Sequence, residues 1–472
     1  MPRLLKAAYG VGQLAKGIEH GAMNLFVLFY FQQVLGVPGW IVGLGLGASL
    51  ILDAITDPLM GWLSDRTTHR WGRRHPWMIA SALPLGICFA LLFSPPDLGP
   101  VALGAWAITW LIATRLALTV FFVPHLALGV ELATDHDERT RVQAWRVFFT
   151  YLGSALVVLG ARAVFLAPSE AYPDGQLDPS GYPPLGLTFG AIMVFAVLGS
   201  AVGTWSIRHP KARIADIPGL IETISGPLRN RPFRIFITSL LLFFVARGVG
   251  MALEVYLGTY FWALGPDAVA LPGLTLLGVL VGTPLWALVA HRAEKRTAYL
   301  SGMALYATTW SLPPLLELAG AFPGGPARLP TLLAVSFVGG LGGAAAVVSG
   351  ASMLADITDV HEAQTGQRIE GVFFGALSFG RKAATGLGGL AAGLLLTTID
   401  FPEQATPGTI EARTVAALGI AAGPGAGILV LIALAMGWRY PLTRAQHRQL
   451  QSSLTRELRS DAQDGAPDPP GS

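Results

Sequence analysis

Asp53 and Asp57 stand four residues apart in a run, Gly39 to Leu63, that is otherwise apolar. In a helix that spacing puts both carboxylates on one face, where they can converge on a single cation. The run is long enough to cross a bilayer, and a charge near the centre of such a helix costs roughly 2.5–3.5 kcal/mol. A chain tolerates this where the charges face water, an ion or an opposite charge. The pair is therefore the first candidate for a coupling-ion site. A proton needs one carboxyl. Na⁺ needs several converging oxygens, to which Thr56 can add a hydroxyl. The structural alternative is an intramembrane pairing with Arg115, and both roles hold together where a cation displaces the arginine.

Other ionisable residues inside apolar runs widen the set. Glu19 and His20 lie about 18 Å along the first run at 1.5 Å per residue, near mid-membrane. They fit either a proton relay or an interhelical hydrogen bond. Lys382 lies well inside the eleventh run, directly after Arg381, where a lysine can compete with a cation for carboxylates. Arg247 and Glu254 are seven residues apart on the seventh run, about two helical turns. With Arg115 they fit structural pairing or a gate; Arg115 can alternatively receive an anionic substrate.

The elements that must position these residues are membrane helices. Of 472 residues, 52% are hydrophobic and 13% charged, against about 25% charged in soluble domains. The mean hydropathy is +0.54. The pI of about 9.0 does not imply nucleic acid, because the basic residues cluster in short loops as topology signals do. The single cysteine, Cys88, excludes an internal disulfide and argues against a cysteine-built metal site. No nucleophile–base or metal-ligand spacing stands out, so neither an enzyme nor a cofactor is expected. No cleavable leader is expected, because Met1 to Lys6 is short and basic and no small-residue cleavage site follows.

Twelve apolar runs can be marked, at 7–36, 39–63, 77–94, 101–132, 141–167, 184–207, 235–264, 268–290, 298–319, 331–355, 371–398 and 414–437. Most meet the requirement of about 20 residues for a helix to cross a bilayer. Alternate loops carry the Lys and Arg, among them Arg66, Arg70, Arg73, Arg74, Arg208, Lys211, Arg292 and Lys295, while the opposite loops hold Arg328 and Arg413. Both termini are thus expected in the cytoplasm, in a multi-pass protein of the cell (inner) membrane. The expected organisation is a half at 1–207, a connector at 208–234, a half at 235–440 and a partly disordered tail at 441–472. Within the connector, Ile217 to Leu228 reads as a short helix on the membrane surface.

Six runs plus six with a cytoplasmic connector resemble the major facilitator fold, an all-α membrane architecture of two six-helix halves with substrate held between them. Several stretches resemble, in order, the glycoside–pentoside–hexuronide:cation symporter family typified by melibiose permease. They are Tyr9-Gly10-Val11-Gly12 ahead of Lys16; Asp53 to Gly61 with Arg70-Trp71-Gly72-Arg73; Val123-Pro124-His125 with Asp137 to Arg141 and Trp145-Arg146; Asn230-Arg231-Pro232-Phe233; and Ala355 to Asp359 with Arg368 to Gly371 and Lys382. The resemblance implies that Asp53 and Asp57 bind the coupling cation and contribute to the sugar site. It implies that Arg146 contacts substrate, that Lys382 lies near both sites, and that Lys16 and Glu19 line the substrate path. His125 takes the place where family members often put an aromatic, and is expected to face the cavity. The type member has acids where this chain has Gly17 and Phe122, and an aromatic at Leu126, so the ion stays open between H⁺ and Na⁺ and the sugar is not specified.

Asp65, Arg66, Arg70, Arg73 and Arg74, with Asp356, Asp359, Arg368 and Glu370 as counterparts, are expected to form a cytoplasmic latch between the halves that breaks when that side opens. The expected activity is cation-coupled symport of a sugar or glycoside by a monomer in the lipid bilayer. A lysolipid carrier of the same fold, and a non-transporting membrane sensor or scaffold, are the competing readings.

Overall fold

A computed structural model describes residues 3–132, 136–207, 227–365 and 370–441. Every regular element among them is helical. In chain order these are α1 (Arg3–Val11), α2 (Gln13–Leu25), α3 (Gly39–Arg66), α4 (His75–Leu92), α5 (Pro100–Leu132), α6 (His136–Gly160), α7 (Tyr182–Gly203), α8 (Arg231–Tyr256), α9 (Ala270–Arg292), α10 (Lys295–Leu318), α11 (Arg328–Thr365), α12 (Glu370–Thr398), α13 (Ala412–Ile420) and α14 (Ala426–Trp438). A π-turn at Ala421–Gly425 joins α13 to α14, and similar turns extend the ends of α6 and α8. Most of the connector expected at 208–234, nearly all of the tail from 441, and Arg368 lie outside the described residues; Glu370 is described as backbone only.

Among the described residues, nine helices are long and apolar enough to cross a membrane. The other three runs expected to span are helical but more polar or broken. The first is interrupted at Gly12 and Phe26 and carries Lys16, Glu19 and His20. The other two are α10, with Lys295 and Arg296 at its start, and α12, which carries Arg381, Lys382 and many glycines. The helices are greasy on both faces. α3 buries Val42, Leu46 and Leu50, yet Leu52, Ile55, Leu59 and Leu63 stay exposed. A helix apolar all round suits a lipid surround.

The helices pack as two groups. α1–α7 pack on one another, and α8–α14 do the same. The main bridge is α3, which lies against α5 on one side and against α12 on the other. Glycines make this close approach. Gly39, Gly43 and Gly47 recur every four residues on α3 and face Gly386, Leu390 and Gly393 of α12. A Cβ on Gly43 would sit 3.1 Å from the Gly393 Cα, and one on Gly386 2.8 Å from the Leu50 Cβ. On its other side α12 meets α8, where a Cβ on Gly388 would lie 2.7 Å from the Gly248 Cα. Helices in lipid associate through such small-residue packing, because lipid removes the hydrophobic drive. This seam carries Asp53 and Asp57 on one helix and Lys382 on the other.

One end of the molecule is sealed by polar contacts between the two groups. Tyr256 donates to Gln32 Oε1 at 2.6 Å and Tyr260 to Gln33 Oε1 at 2.8 Å. Gln404 donates to the Val34 carbonyl at 3.1 Å, Gln176 to Thr259 at 2.6 Å, and Arg162 pairs with Asp267 at 3.0 Å. At the opposite end the ion pairs among the described residues join helices of the same group. Arg73 reaches Glu131 at 2.6 Å, Arg74 bonds Glu131 at 3.2 Å and also Asp65, and Lys295 pairs with Asp356 at 2.7 Å.

The seam makes a stability prediction. Gly393→Ala places a Cβ against the Gly39 carbonyl, and should cost about 1–3 kcal/mol from overpacking despite alanine's better helix propensity. Gly199→Ala meets nothing within 4 Å, and should stay within about 0.5 kcal/mol or stabilise. Thermal unfolding of the detergent-purified variants checks the contrast.

Candidate functional site

The bridge between α3 and α12 is an ion network. Lys382 Nζ donates to Asp53 Oδ2 at 2.9 Å and also to Asp57. The Thr119 hydroxyl of α5 lies within reach of both carboxylates, 3.1 Å from Asp57 Oδ1. Its one proton serves one acceptor at a time. Arg115, one turn before Thr119, approaches Asp53 Oδ2 at 3.9 Å and Glu19 Oε1 at 3.2 Å. Glu19 also pairs with Lys16 at 2.9 Å. Three acids, Asp53, Asp57 and Glu19, thus meet three bases, Lys382, Arg115 and Lys16, and the cluster is charge-balanced.

Local chemistry explains the placement. The i,i+4 spacing puts Asp53 and Asp57 on the α3 face that looks toward α5 and α12. The same spacing puts Arg115 and Thr119 on the α5 face that looks back. Pro58 has no N–H, so the Ala54 carbonyl lacks its usual helical donor beside the acids. Access is uneven. The Asp53 side chain is 7% exposed, that of Asp57 25% and that of Lys382 19%. Asp57 is therefore the acid that water or an ion reaches most readily, and Lys382 and Lys16, the latter 21% exposed, are the accessible bases.

The expected members sort unequally. Asp53, Asp57, Lys382, Glu19, Lys16 and Arg115 come together. Thr56 does not join; its hydroxyl donates to the Asp53 main-chain oxygen at 3.4 Å. Thr119 supplies the hydroxyl oxygen instead. His20 bonds Asn24 at 3.1 Å rather than extending the network. His125 does not face a cavity. It is fully buried, stacked on Tyr9 with ring centres 4.2 Å apart. Its ring nitrogens meet Gln13 at 2.8 Å and the Tyr9 carbonyl at 3.0 Å. The bonds this imidazole makes to α1, α2 and α7 hold it in the core.

Arg146 is half-buried, and no ion pair among the described residues holds its guanidinium. Arg247 and Glu254 share a helix but do not pair; Glu254 meets the Thr275 hydroxyl at 3.3 Å. The basic block ties α3 and α4 to α5 through Asp65, Arg73, Arg74 and Glu131, while Arg66 and Arg70 lie over Trp62 and Trp71. Asp359 lies on α11 near Asp356. The ties named here run within each group of helices; the expected latch is one that breaks when the cytoplasmic side opens, and Arg368 and the Glu370 side chain lie outside the described residues.

Thr119 is the member that sequence reasoning missed. Its signal was present, because a threonine one turn from a membrane arginine shares that arginine's face.

Comparison with known proteins places this geometry. A family model described as MFS/sugar transport protein matches residues 8–444. The inner membrane symporter YicJ of Escherichia coli is 28% identical over 400 residues, 83% of this chain and 82% of that protein. The isoprimeverose transporter of Lactiplantibacillus pentosus is 26% identical over 403 residues, 83% of this chain and 79% of that one. In structure, the nucleoside transporter NupG superposes with a TM-score of 0.61 at 14% identity, covering 93% of this chain and 100% of that one. That level of identity shows a shared fold alone. The motif resemblance, the family match across almost the whole chain and the transporter fold agree, and the protein belongs to the MFS/sugar transport family of membrane transporters rather than to an enzyme family.

Proposed function

We propose that this protein is a secondary active transporter that couples entry of a monovalent cation, H⁺ or Na⁺, to symport of a sugar or glycoside by alternating access. The observation that carries the reading is the Lys382 ammonium shared by Asp53 and Asp57 across two helices of different groups. The names of the two relatives support a sugar cargo and an inner-membrane location. In this reading the first helical stretch, α10 and α12 span the membrane together with the nine apolar helices. That makes twelve spans in two halves, at 1–207 and 235–440, with cytoplasmic termini. The sealed end, with Tyr256, Gln32, Gln176 and Thr259, is then extracellular, and this conformer opens to the cytoplasm.

The chemistry follows from charge balance. Removing one partner of a buried ion pair costs about 3–5 kcal/mol, because the other charge is left uncompensated. Lys382 can therefore leave the carboxylates only when another positive charge replaces it. A cation arriving at Asp57, the more accessible acid, does so. Lys382 sits on α12 and the acids on α3, so the exchange alters the tie between the halves. Substrate bound beside the freed lysine favours the same exchange, and the two ligands help each other by the 1–3 kcal/mol typical of coupled sites. Arg146 and Lys382 are the substrate-facing side chains, Lys16, Glu19 and Arg115 hold the balance behind them, and the polar contacts of the sealed end break when that end opens.

In proteoliposomes, addition of a transported sugar is expected to drive a pH change or Na⁺ entry. Neither signal with any carbohydrate contradicts the reading. Asp57→Cys is expected to abolish gradient-driven accumulation while leaving the protein folded. Accumulation at the wild-type level in that variant removes Asp57 from the coupling role.

A further inference from the structure

Glu254 stands outside the ion network. It lies on α8, two turns beyond Arg247, and is only 6% exposed. Among the described residues no base comes within ion-pair distance of it. Arg247 does not reach it, and Arg328 of α11 is taken by Glu317 at 2.7 Å. Its one hydrogen-bond contact there is the Thr275 hydroxyl of α9, at 3.3 Å. That hydroxyl also lies 3.1 Å from the Leu271 carbonyl, one turn earlier, and has a single hydrogen to give. At least one oxygen of the carboxylate therefore has no donor among the described residues, and both lack one when Thr275 turns to its own helix.

The Glu254 side chain lines a cavity of about 50 Å³ inside the second group of helices. Thr275 of α9, Thr309 of α10 and Ser336 of α11 line it too. The Ser336 hydroxyl has no hydrogen-bond partner among the described residues. Apart from tryptophan indoles, the polar side chains in the wall are this carboxyl and these three hydroxyls. Pro313 and Pro314 are also in the wall and have no N–H. The Thr309 and Trp310 carbonyls beside the cavity thus lose their usual helical donors.

Size and charge select the occupant. Pockets for sugar-sized molecules run to about 300–1,000 Å³, so no sugar ring fits. A water needs roughly 10–15 Å³ of such space, so a small ion with a water or two does. An unpaired carboxylate inside a membrane protein is costly, and oxygen ligands suit hard cations. One carboxylate supplies one negative charge, which a monovalent ion neutralises.

We propose that Glu254, Thr275, Thr309 and Ser336 form a second cation site, separate from Asp53 and Asp57, that takes one Na⁺ ion. The ion ties α8 to α9, α10 and α11 within one turn of the π-turn whose Thr259 and Tyr260 help to seal the closed end. The inference does not depend on the symport reading.

Equilibrium binding of radioactive Na⁺ to the purified full-length protein tests it without any gradient. The wild type is expected to bind Na⁺, Glu254→Gln to bind one ion fewer per molecule, and Asp57→Asn to keep the ion at Glu254. Thr275→Val should weaken the same site about tenfold, as loss of one contact to a charged group does. The inference is overturned if the wild type binds no Na⁺, so that a proton compensates Glu254 instead. It is equally overturned if Glu254→Gln binds as many ions as the wild type, or if Asp57→Asn binds none. If Glu254→Gln does not fold, as judged by thermal midpoint, Thr275→Val decides: tenfold weakening supports the site and unchanged affinity overturns it. Sodium held by Glu254 without sugar-driven ion flux sinks the symport reading only, and flux without that sodium sinks this inference only.

Discussion

A lysine ammonium held between two carboxylates of a facing helix is a demanding contact inside a membrane, and much of the molecule is arranged around it. Asp53 and Asp57 would each be costly in hydrocarbon alone. Lys382 makes them tolerable, but only if α3 and α12 run close enough for a single Nζ to reach both acids. The glycines at 39, 43 and 47, set against 386 and 393, supply that distance. The packing of two helices and the electrostatics of one site are thus one constraint. A side chain added to the seam and a charge removed from the site disturb the same structure.

Charge balance suits this contact to the proposed exchange of lysine for a cation. With Glu19, Arg115 and Lys16 the cluster sums to zero, so no charge is left to repel or attract an arriving ion strongly. In the proposed mechanism exchange is then favoured over simple addition. Arg381, next to Lys382 on α12, lies instead over the Phe244 ring of α8.

The sequence displayed most of the charged members and little of their geometry. Asp53, Asp57 and Lys382 announced themselves as ionisable residues in apolar runs, and Arg115 and Glu19 did the same. Helical periodicity also put Asp53 and Asp57 on one face. It does not say which neighbour that face meets, and this is where the expectations departed from the structure. Thr56, one residue from Asp57, was expected among the ligands, yet its hydroxyl turns to its own backbone; Thr119, from another helix, takes the place. His125 takes the place where the resemblance puts a cavity aromatic, but Tyr9, Gln13 and Ser200 enclose it. The basic block meets Glu131 and Asp65 of its own group among the described residues, and Arg368 and the Glu370 side chain, expected as its counterparts, lie outside them. Pairing across space is set by tertiary packing, which a single sequence does not display.

The central claim is that a cation takes the place of Lys382 at the two carboxylates. It is tested most directly by equilibrium binding of H⁺ and Na⁺ to the purified protein, comparing the wild type with Lys382→Gln. If lysine and cation compete, removing the lysine tightens binding of the coupling ion, and the tightening disappears when Asp57 is also changed to asparagine. Cation binding that is unchanged or lost in Lys382→Gln contradicts the account.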